Sequence, residues 1–214
     1  MGFPETQWSL ILASGDAAVA RAAWGELATR YRAPIHAWFR CRFGADRADD
    51  LTAAFLTASI ADGWWARADA DRGSFRTYLR VLLTRFGARH AQDLCSQGDA
   101  DALEAIGDPD GGPEAAYERA FAQAVVGRAL AALRVEAGDG DDGLWFLLLE
   151  RGDPGAVGQL ASRLGVSPNV VSQRLRRMKL RLRELLRAEF AALVAAPTAI
   201  DAELRCLRGV LEGR

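Results

Sequence analysis

Between Arg174 and Arg187, seven basic side chains (Arg174, Arg176, Arg177, Lys179, Arg181, Arg183 and Arg187) meet one acid, Glu184. Cations at that density suit one chemistry, the holding of a row of phosphates. Just upstream, Asn169, Ser172 and Gln173 offer groups that can read base edges. Asn and Gln pair bidentately with adenine, and Arg pairs with guanine. The segment carries +6, so a chain of net charge −1 must hold −7 elsewhere. A basic stripe on an acidic body is the electrostatic footprint of a protein that docks on nucleic acid. The bland alternative is a solvated helix face in an arginine-rich chain, since Lys179 is the one lysine among 27 basic residues.

The elements that must position these groups can be read from residues 156–187. Small Ala161 permits a close helix crossing, and Gly165 supplies the positive φ of a sharp turn between helices. Ser167 is a good N-cap, with Pro168 at the first helical position, where its missing N–H costs nothing. Val170, Val171, Leu175 and Met178 are expected to face inward, leaving the polar and basic set exposed. This is the layout of a DNA-binding helix-turn-helix whose second helix enters the major groove.

The rest of the chain also reads as helix, because no alternating β-branched run appears. The first helical block spans about Asp16 to Arg42, with Pro34 expected to kink or restart it. The second follows Gly44, with Asp46 as its N-cap, and carries Leu51, Phe55 and Leu56 inward. The third opens at Ser74 and buries Phe75, Leu79, Leu82, Leu83 and Phe86, leaving Arg76, Arg80, Arg85 and Arg89 on its other faces. Trp64 and Trp65 read as core or as a partner-facing pair. Residues 96–113 hold five acids, no base and four glycines, the composition of a flexible linker. A short apolar helix is expected at 144–149 and a tail helix from Ala199, aligning Ile200, Leu204, Leu207 and Leu211.

The expected fold class is therefore all-α, two small helical domains joined by a flexible acidic linker, the second with a helix-turn-helix. The borders read as domain 1–95, linker 96–113, domain 114–190 and amphipathic tail 191–214. No apolar run approaches the roughly 20 residues of a membrane span, and no leader pattern opens the chain, so a cytoplasmic protein without membrane insertion is expected. Cys41, Cys95 and Cys206 have no metal-ligand spacing. His36 and His90 are the only histidines, and His36 is off-face from Cys41. With no phosphate-cradling loop or nucleophile elbow, we expect no enzyme, no catalytic residue, no metal and no cofactor.

In order and size these blocks resemble bacterial RNA polymerase sigma factors, specifically the compact extracytoplasmic-function (ECF) type. ETQWSLIL at residues 5–12 looks like the opening of a planctomycete- and acidobacterial-like branch. LATRYRAPIHAWFR (27–40) resembles the first region-two helix, ADDLTAAFL (48–56) the clamp-gripping second, and DADRGSFRTYLRVLLTRF (69–86) the promoter-opening segment. LGVSPNVVSQRLRRMKLRLRELL (164–186) resembles region four. Together they cover residues from about 5 to 190.

The resemblance implies a transcription initiation factor with core RNA polymerase (its β′ clamp and β flap) and promoter DNA as partners, and an anti-sigma protein as a further one. Ser167, Asn169, Ser172, Gln173, Arg174, Arg176, Arg177, Lys179 and Arg181 would contact the −35 element. Arg72, Ser74, Arg76, Tyr78, Arg80, Arg85 and Arg89 would track the melted −10 strand, with Tyr78 open to a stacking or a core role. Asp49, Asp50 and Thr52, exposed beside Phe55, would meet the clamp. The tail would pack back on the region-four domain, or else bind a regulator.

Two departures matter. Where the family commonly has Gln and an acid after the Leu51-Thr52 pair, this chain has Ala53 and Ala54, which removes two polar contacts to polymerase. A basic patch after the third helix is replaced by residues 92–99, which hold two acids and no base. The rival reading is therefore a sigma-like helix-turn-helix regulator that no longer engages polymerase.

Overall fold

The computed structural model describes residues 17–69, 74–96, 111–137, 154–191 and 200–212. The described residues form seven α-helices and no strand, as the all-α expectation requires. The helices are α1 (Ala17–Phe43), α2 (Ala45–Ala61), α3 (Phe75–Ser96), α4 (Gly112–Ala137), α5 (Pro154–Leu164), α6 (Pro168–Ala191) and α7 (Ile200–Leu211). A single 3₁₀ turn, Trp65–Arg67, follows α2. The N-terminal signature, Arg72, most of the acidic linker and the 144–149 helix lie outside the described residues.

Local chemistry explains the helix ends. Gly44 takes φ 88° between α1 and α2, a conformation side chains resist. It, and not Asp46, is the cap of α2; Asp46 sits in the first turn, where its charge favours the helix dipole. Ser74 caps α3, its Oγ accepting the Thr77 N–H at 3.2 Å. Helix α1 runs through Pro34 without a break, because the ring is buried against the core and its missing N–H removes one bond of many.

Contacts divide the chain into two compact units, residues 1–124 with 190–214, and residues 125–189. The borders thus fall inside α4 and near the end of α6, where composition does not change. In the first unit Tyr31 stacks on Phe121 at 5.6 Å and meets the edge of Phe75 at 5.4 Å. Phe39, Phe55, Phe86 and Trp64 form a second edge-to-face cluster, with centroid distances of 5.5 to 6.2 Å. Aromatic residues of α4 complete this core, which is why residues 114–124 join the first unit. Helix α7 also belongs to it, with Ile200 and Leu207 buried. By this division α7 groups with the first unit.

The second unit is built on Leu133, Leu160, Ala161, Val171 and Met178, with Val157, Val166, Leu175, Leu182 and Leu185 packed around them. Arg128 pairs with Glu189 at 2.7 Å along its flank.

Candidate nucleic-acid interface

Helices α5 and α6 are joined by three residues, Gly165, Val166 and Ser167. Gly165 has φ 65°; its N–H reaches Ser162 O at 3.4 Å, and the Val166 N–H reaches Ala161 O at 3.0 Å. This crossed pair is a Schellman motif, closing α5 on a glycine that alone tolerates the dihedral cheaply. Val166 then folds onto the core. Ser167 starts α6, its Oγ accepting the Val170 N–H at 3.4 Å.

From that start the helical period sorts the side chains of α6. Val171, Leu175, Met178, Leu182 and Leu185 form the inward stripe. Opposite lie Asn169, Gln173, Arg176, Arg183 and Arg187, with Ser172 and Lys179 on one shoulder and Arg174, Arg177 and Arg181 on the other. All of these, and Ser167, are exposed. Val170 departs from expectation. It is 36% exposed, because one step back from Val171 along a helix turns it away from the core. Arg181 is committed elsewhere: its guanidinium forks onto Glu136 of α4 at 2.7 and 2.8 Å and touches Glu184 at 2.7 Å. The hydrogen bonds to Glu136, then Glu184, hold its pKa above the ordinary arginine range, and Glu136 is held below the usual carboxylate value. Arg181 braces α6 against α4.

The α3 set separates sharply. Arg76 is inside the fold, its side chain 12% exposed and paired with Glu118 of α4 and with Glu203 of α7, the latter at 2.9 Å. The Phe121 ring lies 5.2 Å from its guanidinium. Burial works against this charge, but Glu118 and Glu203 together raise its pKa. Arg80 reaches Glu118 at 3.4 Å and is partly exposed. Tyr78 is no open stacking platform, since its hydroxyl donates to Trp64 O at 2.7 Å. Burial raises its pKa, with Arg67 and Arg85 opposing. Ser74 is half-buried and occupied as a cap, whereas Arg85 and Arg89 are exposed. Trp65 is core, 1% exposed, and Trp64 packs on Phe55 and Phe86.

On α2, Asp49 and Asp50 are exposed, and Asp49 accepts from Arg32 at 3.3 Å with His36 at 3.8 Å. Thr52 is a correction, since it is 0% exposed, while Phe55, also 0% exposed, faces inward as its spacing led us to expect. The Thr52 hydroxyl donates to Ala48 O at 2.6 Å, satisfying it inside the helix, and Phe55 fills the aromatic core. They fall four and seven residues after Ala48 on one inward stripe, so α2 presents Asp49, Asp50, Ala53 and Ala54 outward.

Sequence reasoning missed Glu118, Glu136 and Glu203, the acids that occupy Arg76 and Arg181. Their partners come from other helices, 42, 45 and 127 positions away, which no local pattern reports. No group of three or more potential metal ligands occurs among the described residues, and no described helix is long and apolar enough to cross a membrane. The chain matches no family model, no curated protein and no solved structure.

Proposed function

We propose that this chain is a transcription initiation factor of the ECF sigma type, which binds core RNA polymerase and carries it to promoters. The observation that carries the reading is the outward face of α6. There Asn169, Gln173, Arg176 and Arg183 follow a Schellman turn and a serine cap, opposite a continuous apolar stripe. Such a helix can lie in a major groove with amides and guanidinia on base edges and flanking cations on phosphates. Asn169, Ser172, Gln173, Arg176 and Arg177 take the base-reading roles, and the exposed methyls of Val170 suit contact with a thymine methyl. Lys179, Arg183 and Arg187 take phosphate roles. The resemblance of residues 27–86 to region two assigns −10 tracking to α3, with Arg85 and Arg89 as its exposed cations.

The clamp surface on this reading is Asp49 and Asp50 with Ala53 and Ala54. Those exposed alanines favour a second reading, a sigma-derived DNA-binding regulator that has lost polymerase. Co-elution of the purified chain with core RNA polymerase at moderate salt separates the two. Co-elution supports the initiation factor. Failure to co-elute, with retained binding to duplex DNA, favours the regulator and makes Ala53 and Ala54 the first residues to restore.

A further inference from the structure

We propose that helix α7 is a built-in competitor for the nucleic-acid face of α3, seating Glu203 where a single-stranded DNA phosphate would meet Arg76. The ligand's identity rests on the sigma reading above; the contact does not. Arg76 lies two residues into α3, in the segment that resembles the promoter-opening stretch, yet 12% of its side chain is exposed. Two carboxylates hold it, and their own side chains are 17% and 14% exposed. A carboxylate offers a guanidinium the same planar, anionic acceptor pair that a phosphate does. Glu118 and Glu203 therefore fill the coordination that DNA would need.

The charge balance points the same way. Arg76 and Arg80 supply two cations, and Glu118 and Glu203 two anions, so the docked cluster is neutral. Withdrawal of α7 removes Glu203 and leaves two cations facing one carboxylate. The same movement that uncovers Arg76 gives the face a net positive charge.

Helix α7 is built to be a weak cover. Its 12 residues are too few for a stable isolated helix, so its helicity depends on docking. Ile200 and Leu207 are buried, while Asp201, Ala202, Arg205, Cys206, Arg208 and Leu211 remain exposed. Undocking and unfolding of this segment are then one event. A face available only in the undocked fraction binds with an affinity lowered by that fraction.

The full-length chain is compared with Glu203→Gln and with Leu207→Arg, which attacks the apolar side of the same contact. Two quantities are read, amide exchange across residues 200–211 and the affinity for a labelled single-stranded DNA oligonucleotide over a salt series. Expected are faster exchange of α7, a dissociation constant lowered about five-fold or more, and a log–log salt slope steeper by about 0.7, the value of one added phosphate contact. Arg76→Ala in the Glu203→Gln background should return the slope to that of the parent. The proposal is overturned if α7 loses protection while single-strand affinity stays put, or if neither variant changes either quantity. Core polymerase co-elution is scored separately. A gain in strand binding without co-elution keeps the competitor and removes the initiation factor, and the reverse result keeps the factor and removes the competitor.

Discussion

Helices α3 and α6 are both arginine-bearing, and the two use arginine in opposite ways. On α3, Arg76 is enclosed between carboxylates from α4 and α7, and Arg80 shares one of them. On α6, the cations opposite the core stripe are exposed, and Arg181 on its shoulder braces the helix to Glu136. In sequence the two patterns look alike, basic residues at helical spacing beside an apolar stripe. The difference lies in what covers each helix. A second and third helix lie over α3 at Arg76, so a guanidinium there must bring its counter-ions into the fold or cost several kcal/mol of desolvation. On α6 the side chains opposite the core stripe are exposed among the described residues.

Removing the arginine should therefore break different things on the two helices. Arg76→Ala leaves the partly buried Glu203 without this cation and Glu118 with Arg80 alone, and a loss of about 3 kcal/mol in unfolding free energy is expected by urea titration at pH 7. Arg176→Ala with Arg177→Ala should leave stability within about 0.5 kcal/mol per site. The same pair should weaken binding to the preferred duplex by about 1–3 kcal/mol per lost base contact and relax sequence discrimination there, read by titration of matched and mismatched duplexes. A stable Arg76→Ala protein, or an unstable α6 double variant, would erase the distinction between the helices.

Two glycines sharpen the comparison at the next level of energy. Gly87 of α3 is buried, and a Cβ there would lie 2.5 Å from Trp38 Cη2 and 2.8 Å from Cζ3. Gly87→Ala should cost about 1–3 kcal/mol, because both the helix and the indole are fixed by the aromatic core. Gly165, between α5 and α6, has open space around it but a φ of 65°. Gly165→Ala should cost about 1–2 kcal/mol through the dihedral alone, and Gly165→Asn less, since asparagine tolerates that region. If Asn restores nothing at 165, the turn is limited by packing and not by conformation.

These contrasts also mark how far the sequence was legible. The helices, the Ser74 and Ser167 caps and the turn at Gly165 follow from local chemistry, so they could be read from neighbours within a few residues. The same holds for the inward stripe of α6. Val170 and Thr52 were misjudged by one helical step, and there burial decides what spacing leaves ambiguous. The unit borders were hidden because a drop in hydrophobicity marks where chain is solvated, not which core an amphipathic helix joins. Tyr117 and Phe121 could have packed on either side by pattern alone. The carboxylate partners of Arg76 lie furthest from reach, since an ion pair across 127 residues leaves no trace in either segment's periodicity.

The smallest contrast concerns acid. Both histidines of the chain, His36 and His90, are in the first unit. Burial, then the nearby Arg47, lowers the pKa of His90 from its usual value, with Asp93 partly opposing. Its ring also meets Phe43 edge-on at 5.2 Å. The unfolded chain accordingly takes up the proton first as pH falls below about 6.5, so the folded state loses stability from there down to the folded pKa and no further below it. His90→Gln should remove that part of the slope between pH 7 and pH 5.5, read as the urea midpoint. Amide protection should report the change in α1 and α3 and leave α5 and α6 level; an equal loss in both units would place the acid-sensitive group elsewhere.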